Sequence, residues 1–390
     1  MKLKQRPEDF QVDELATLPI RGRGPFAVYR LTKSGWTTLD AIRRICRDWN
    51  LPRSAVGHAG MKDRHAVTSQ LITIQNGPRQ AWNGETVQLE YLGQSPRKIG
   101  PNDIEGNSFR LVVRGLSSEE GEKARSGLPG IQLHGYPNYF DDQRFGSWFP
   151  GQGFIAEWWL REKFEQACWL AFAEPQSTDN AHEREEKEIL RRHWGDWAGC
   201  VRELRPSHRR SIVTYLKDHP EDFTGAWCRV DGHLRGLFLS ALQSDLWNRC
   251  VSYWHRTQTP RDQLLELRVK TGPLLCPKNR LSDSSLRIGG GAIPLPSARL
   301  KDVPEEVKSV MRSALSECGW ELEQLKVRLP RDKFFSKAQR PMHVVPSGLH
   351  WRFAADELAP EHEQLTLSFT LTRGAYATML VKRLWDCQPL

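Results

Sequence analysis

The run Gly57-His58-Ala59-Gly60-Met61-Lys62-Asp63-Arg64-His65-Ala66-Val67-Thr68-Ser69-Gln70 sets one carboxylate, Asp63, between two cations among small and polar residues. Positive charge beside a carboxylate favours its ionised form. An ionised carboxylate can act as a nucleophile or as a base. No metal-ligand cluster surrounds Asp63, so the chemistry open to this run is what a lone Asp performs. The competing reading is a turn acid that caps local backbone amides, and on residue types alone it is the stronger of the two.

Asn138-Tyr139-Phe140-Asp141-Asp142-Gln143-Arg144-Phe145-Gly146 combines an amide, aromatic rings, acids and an Arg beside a glycine. That mixture suits a surface that stacks a flat ring and hydrogen-bonds its edge. A packed loop is the plainer reading. Phe145 is assigned to the core, and composition leaves Asn138 and Phe140 open. The block Gln243 to Arg249 reads as helix, its apolar members packing and its polar members solvated. Arg205 to Arg210, and Arg331 to Arg340 with Lys333, Phe334, Phe335 and Lys337, are basic patches that suit phosphate contacts or solvated faces alike.

Eight cysteines lie far apart without C-x-x-C, which reads as reduced, mostly buried thiols and argues against zinc. His58 and His65 read as structural or RNA-facing, and most of the fifteen tryptophans as core. A net charge of +9 suits a polyanionic partner, although charge by itself is weak evidence. No apolar stretch reaches membrane-spanning length, and the expectation is a cytoplasmic protein. No serine–histidine–aspartate pattern, paired acids or cysteine nucleophile stands out. Gly289-Gly290-Gly291 lacks the Lys-Ser/Thr of a phosphate loop and reads as a turn.

These groups need a scaffold. Residues 1–35 alternate as strands joined by a turn at Gly22-Arg23-Gly24-Pro25. Thr37, Thr38 and Asp40 open a helix that Pro52 ends. A strand from Ala55 to Met61 runs into the turn Lys62-Asp63-Arg64, and Val67 to Gln75 is the next strand, so Asp63 lies on a strand-to-strand connection. Strands continue through Val87–Leu92 and Ser108–Val113, followed by a helix over Ser117–Ser126. After residue 150 helices dominate: Ala156–Phe172, Ala181–Trp197 and Gly232–Trp254. Residues 260–300 read as irregular. Leu365–Leu371 returns to strand, and Ala375–Leu384 to helix. A strand-rich start and end around a helical middle suggest one domain inserted into another, and 390 residues suit two domains.

The Gly60–Gln70 and Asn138–Gly146 runs resemble signature motifs of the TruD family of tRNA pseudouridine synthases. Pro7-Glu8-Asp9-Phe10-Gln11-Val12-Asp13-Glu14, Gln243-Ser244 with Trp247-Asn248, and Gly374-Ala375-Tyr376-Ala377-Thr378-Met379 match further blocks in order, so the resemblance spans nearly the whole chain. It implies an α+β fold: a pseudouridine-synthase catalytic domain on a mixed, mainly antiparallel sheet, over 1–150 and 339–390, with a largely helical inserted domain over 151–338 forming a cleft for tRNA. It implies isomerisation of uridine, typically at position 13 of tRNA, after base flipping, with tRNA as partner, no metal, no cofactor and a monomer. Asp63 is then the catalytic aspartate, attacking C1′ of the ribose or C6 of the uracil. Phe10, Asn138 and Tyr376 become uridine contacts, and Phe140 a ring packing on the base or on Asp63. Lys62 and Arg144 become supporting cations that hold the carboxylate ionised or touch phosphate. Asp141 stands where many members have Gly, and Thr372-Arg373-Gly374-Ala375 where Pro, Lys and Ser are frequent. Other readings are a synthase acting on another uridine of tRNA, rRNA or mRNA, and an RNA-binding or chaperone protein whose catalysis is secondary. A metal-dependent nuclease fits poorly, because one acid in a basic turn does not make a metal site.

Overall fold

The computed structural model describes residues 1–278, 291–329 and 334–390. The chain divides into two compact units, Met1–Asn138 with His343–Cys387, and Tyr139–Met342 with Gln388–Leu390. The divisions fall before the expected 150/151 and just after the expected 338/339. Gly289, Gly290, Arg331 and Lys333 lie outside the described residues.

The first unit is built on one large sheet. Its main path runs Ser347–Asp356, Ala359–Thr372, Ile104–Leu116, Phe10–Ala16, Val67–Gln75, Phe26–Ser34, Val87–Ser95 and Trp82–Asn83. Phe10–Ala16 and Val67–Gln75 pair in parallel and the other ladders of this path are antiparallel, so the sheet is mixed and mainly antiparallel, as expected. Two consecutive strands, Phe10–Ala16 and Phe26–Ser34, are not neighbours, because Val67–Gln75 lies between them. That insertion positions the site. The parallel register Gln11↔Val67 brings the residues before Gln11 and before Val67 to one end of the sheet. The antiparallel register Ser34↔Val67 brings the C-terminal end of Phe26–Ser34 to the same end.

The helix Thr38–Asp48 starts where expected, with the Thr37 side chain accepting from the Asp40 N–H. Its apolar stripe, Ala41, Ile42, Ile45 and Cys46, packs on Ala27, Tyr29, Leu31, Ile72 and Ile74 of the sheet. Two expectations need amendment. The strand before Asp63 covers only Val56–His58, so the loop to Val67 is longer than expected. The helix expected over Ser117–Ser126 extends over Ser118–His134, through Pro129, and stops at Gly135, whose φ of 71° suits a residue without a Cβ.

The second unit is largely helical, with Gly232–Gln258 its longest helix. The helix expected over Ala156–Phe172 is two, Ile155–Leu160 and Phe164–Phe172, parted at Glu162, which has φ 58°. Within the region expected to be irregular, Leu264–Val269 and Gly272–Pro277 form an antiparallel hairpin. Pro273 and Pro277 masked it, since proline in a sequence argues against strand.

Candidate active site

Asp63 lies in the loop between Val56–His58 and Val67–Gln75, and its side chain keeps 52% of its exposure. Its carboxylate Oδ2 stands 3.0 Å from Lys4 Nζ. The same ammonium lies 4.0 Å from the centroid of the Phe10 ring. Lys4 thus spans an acid and an aromatic face, a cation–π arrangement next to an ion pair. Phe10 is buried and meets Phe109 edge-on at 6.3 Å, and Phe109 stacks on Phe369 at 5.4 Å. A ring so backed has little freedom to move.

The main chain around Asp63 is tied at three successive points. The carbonyl of Gly60 accepts from Gln70 Nε2 at 2.9 Å. The N–H of Lys62 donates to Thr38 Oγ1 at 2.9 Å, and that hydroxyl donates to Gln70 Oε1 at 2.8 Å. The carbonyl of Asp63 accepts from Lys33 Nζ at 2.7 Å. Gln70 and Thr38 are buried. A Cβ at position 60 would lie 2.9 Å from Glu14 Oε2 and 3.1 Å from Ile104 Cδ1, so a side chain there would crowd the Glu14 carboxylate.

The flanking cations do not turn to Asp63. Lys62 Nζ pairs with Glu14 Oε2 at 2.6 Å, with side-chain exposures of 9% and 0%. Arg64 pairs with Asp40 at 3.1 Å. Sequence adjacency suggested these two, but each is engaged by another acid, Glu14 or Asp40. Lys4, 59 positions away in the chain, supplies the charge instead.

Tyr376 precedes the helix Ala377–Trp385, and its carbonyl accepts from the Tyr136 hydroxyl at 3.2 Å. Tyr136 belongs to the short strand that leads into Asn138, which is buried. Tyr376 and the Asn138 segment therefore lie side by side in the first unit.

Phe140 and Arg144 belong to the second unit. Asn248 clamps the Phe140 backbone: its Oδ1 accepts from the Phe140 N–H at 2.9 Å and its Nδ2 donates to the Phe140 carbonyl at 2.8 Å. The Phe140 ring meets Trp247 edge-on at 5.7 Å and carries the Arg340 guanidinium 3.9 Å from its centroid. Arg144 Nε donates to Ser244 Oγ at 3.2 Å. Asp141 is buried and caps the Asp142 N–H at 2.8 Å, so this acid is a turn residue. The polar members Gln243, Ser244, Asp245 and Asn248 are buried, contrary to the solvated reading. Gln243 and Asn248 satisfy the backbone of neighbouring loops, Ser244 donates to the Ser240 carbonyl and accepts from Arg144, and Asp245 accepts from the Thr271 hydroxyl. Phe145 is core, as expected, and meets Phe154 edge-on at 6.0 Å. In the Arg205–Arg210 patch, Arg209 pairs with Glu186 at 2.6 Å and Arg205 faces Glu185 at 3.9 Å, so its charge is largely answered within the unit.

Lys4, Lys33, Glu14 and Thr38 carry no local catalytic pattern. One signal was present. Lys33 and Glu14 occupy inward positions of strands whose other inward residues are apolar. Among the described residues no cluster of three His, Cys, Asp or Glu side chains could hold a metal ion, and no helix is long and apolar enough to cross a membrane.

Comparison with known proteins places this geometry in context. The family model described as tRNA pseudouridine synthase D (TruD) matches residues 1–273. The "Probable tRNA pseudouridine synthase D 2" of Methanocaldococcus jannaschii is 30% identical, over 98% of this chain and 91% of the relative. The "tRNA pseudouridine synthase D" of Aquifex aeolicus is 29% identical, over 99% and 98%. A solved TruD structure from Methanosarcina mazei superposes with a TM-score of 0.72 at 22% identity, covering 99% of this chain and 94% of the other. That likeness establishes the α+β pseudouridine-synthase fold.

Proposed function

The chain belongs to the TruD family of tRNA pseudouridine synthases, and on that premise we propose that it isomerises uridine 13 of tRNA to pseudouridine with Asp63 as the catalytic aspartate. The observation that carries the proposal is an exposed carboxylate, paired with Lys4, on a loop whose main chain is tied on both sides of it. Substrate and product are isomers, so no oxidant or reductant enters the balance. The N1–C1′ bond must break and a C5–C1′ bond must form.

Attack of the Asp63 carboxylate on C1′ would expel the uracil as an anion and leave an ester. The base turns in place, C5 attacks C1′, the ester oxygen departs, and the C5 proton is lost to a base. Attack at C6 is the other course: the carboxylate carries the ring while the N1–C1′ bond breaks and C5 bonds C1′, and it leaves C6 as the C5 proton is lost to a base. Either course needs an ionised carboxylate aimed at an unstacked nucleotide, and base flipping supplies that nucleotide.

Phe10, Asn138 and Tyr376 are the first unit's contacts for the uridine, and Phe140 and Arg144 are RNA-contacting groups of the second unit. Lys62 acts at one remove, through Glu14, instead of on the carboxylate. Mapping pseudouridine in tRNA from cells with and without this protein tests the target. Loss confined to position 13 is expected, whereas loss at another RNA uridine with position 13 unchanged would overturn the assignment.

A further inference from the structure

We propose that Lys33 is a positioning residue for the isomerisation: its buried ammonium pins the main chain of Asp63 and so fixes where the carboxylate stands. The inference rests on Asp63 being the catalytic aspartate. Lys33 is 1% exposed. Its Nζ donates to the Asp63 carbonyl at 2.7 Å and to the Trp36 carbonyl at 2.7 Å. Both acceptors are neutral. An ammonium hydrogen-bonded only to carbonyls is costly to bury, and the nearby Asp63 charge offsets only part of its lost hydration.

Position 33 has no need of a lysine for folding. On the strand Phe26–Ser34, Ala27, Tyr29 and Leu31 point to the helix Thr38–Asp48 and are fully buried. Alternation puts an aliphatic residue next on that face. A charge there breaks the pattern, and such breaks concentrate where function is served. The lysine joins the turn at Trp36 that opens the helix to the Asp63 loop, and of the ties between them it is the one made on the Asp63 carbonyl itself, beside Lys62 N–H to Thr38 and Arg64 to Asp40. Charge-assisted hydrogen bonds hold geometry more firmly than neutral ones.

The clamp depends on a proton. Burial pulls the Lys33 ammonium down to about 8, and the Asp63 and Lys62 charges that face it pull in opposite directions, Asp63 upward and Lys62 downward. Lys4 on Asp63 and Glu14 on Lys62 complete the charged groups paired with those two. Loss of the proton leaves neutral N–H donors and a looser loop.

The test compares wild type, Lys33→Met and Lys33→Arg in pseudouridine formation on a tRNA transcript, with folding checked by circular dichroism at the assay temperature. A misplacement of about 1 Å costs on the order of 100-fold, so folded Lys33→Met should lose about that factor in kcat while KM changes little. Wild-type kcat should fall as the pH rises past about 8, and that fall should be absent in both variants: Lys33→Arg keeps its charge, and Lys33→Met has none to lose. Wild-type kcat in folded Lys33→Met, or an unchanged alkaline fall in either variant, would overturn the inference. Asp63→Asn assayed alongside separates the two failures. If it keeps full activity, the premise is wrong; if it is inactive while Lys33→Met is not, only the role of Lys33 is wrong.

Discussion

Lys4 Nζ and Asp63 Oδ2 stand 3.0 Å apart although 59 positions separate the residues, and the order of strands in the sheet, with Phe10–Ala16 parallel to Val67–Gln75, brings them to the same end. Lys2 and Leu3, just before Lys4, pair antiparallel with Arg114 and Val113 of the next strand, which holds Lys4 at that end of the sheet. A charge that neighbouring residues seemed to supply is supplied by topology.

Replacing Lys4 by Met removes that charge from a partly exposed pair. Such pairs contribute about 1 kcal/mol or less to stability, so the urea midpoint should barely move. Pseudouridine formation should fall about tenfold or more, the equivalent of about 1.4 kcal/mol in the barrier. Unchanged kcat in Lys4→Met would mean that the pair does not serve the reaction.

The buried pair of Lys62 with Glu14 behaves differently. Lys62→Met leaves the Glu14 carboxylate without a partner, and breaking such a pair costs about 3–5 kcal/mol. The double variant Glu14→Leu with Lys62→Met should recover most of that loss. Urea unfolding of wild type and the two variants measures it. Equal stability of Lys62→Met and the double variant would contradict the account.

Much of this was legible in the sequence. The helix Thr38–Asp48 followed from periodicity because it buries one apolar stripe, and the strand Val67–Gln75 from its alternation, although its buried positions include Thr68 and Gln70 beside Ile72 and Ile74. The loop holding Asp63 followed from its polar residues. Lys4 could not be found that way, since strand order is a property of the whole sheet and local pattern does not encode it. Glu14 and Lys33 lay inside strands that alternation had identified, but a charge at an inward position has meaning only once its partner is known. The hairpin Leu264–Pro277 was hidden by its prolines.

Lys33 also gives a pH dependence of stability. Burial lowers its folded value to about 8 from an ordinary 10.5. Between those values the unfolded chain binds the proton and the folded chain releases it, so the lysine's contribution to stability rises with pH through that window. Below it, the full cost of burying the charge is present. Urea midpoints of wild type minus Lys33→Met should therefore increase between about pH 8 and pH 10.5. A difference that shrinks with rising pH would contradict a buried ammonium.

The central claim is that the Asp63 carboxylate attacks the nucleotide, and one substitution addresses it. Asp63→Asn keeps size and loop geometry and removes the anion. Single-turnover pseudouridine formation on purified tRNA, with tRNA binding measured in parallel, should show binding within a few-fold of wild type and no detectable product. Product formed at the wild-type rate by Asp63→Asn would contradict the account.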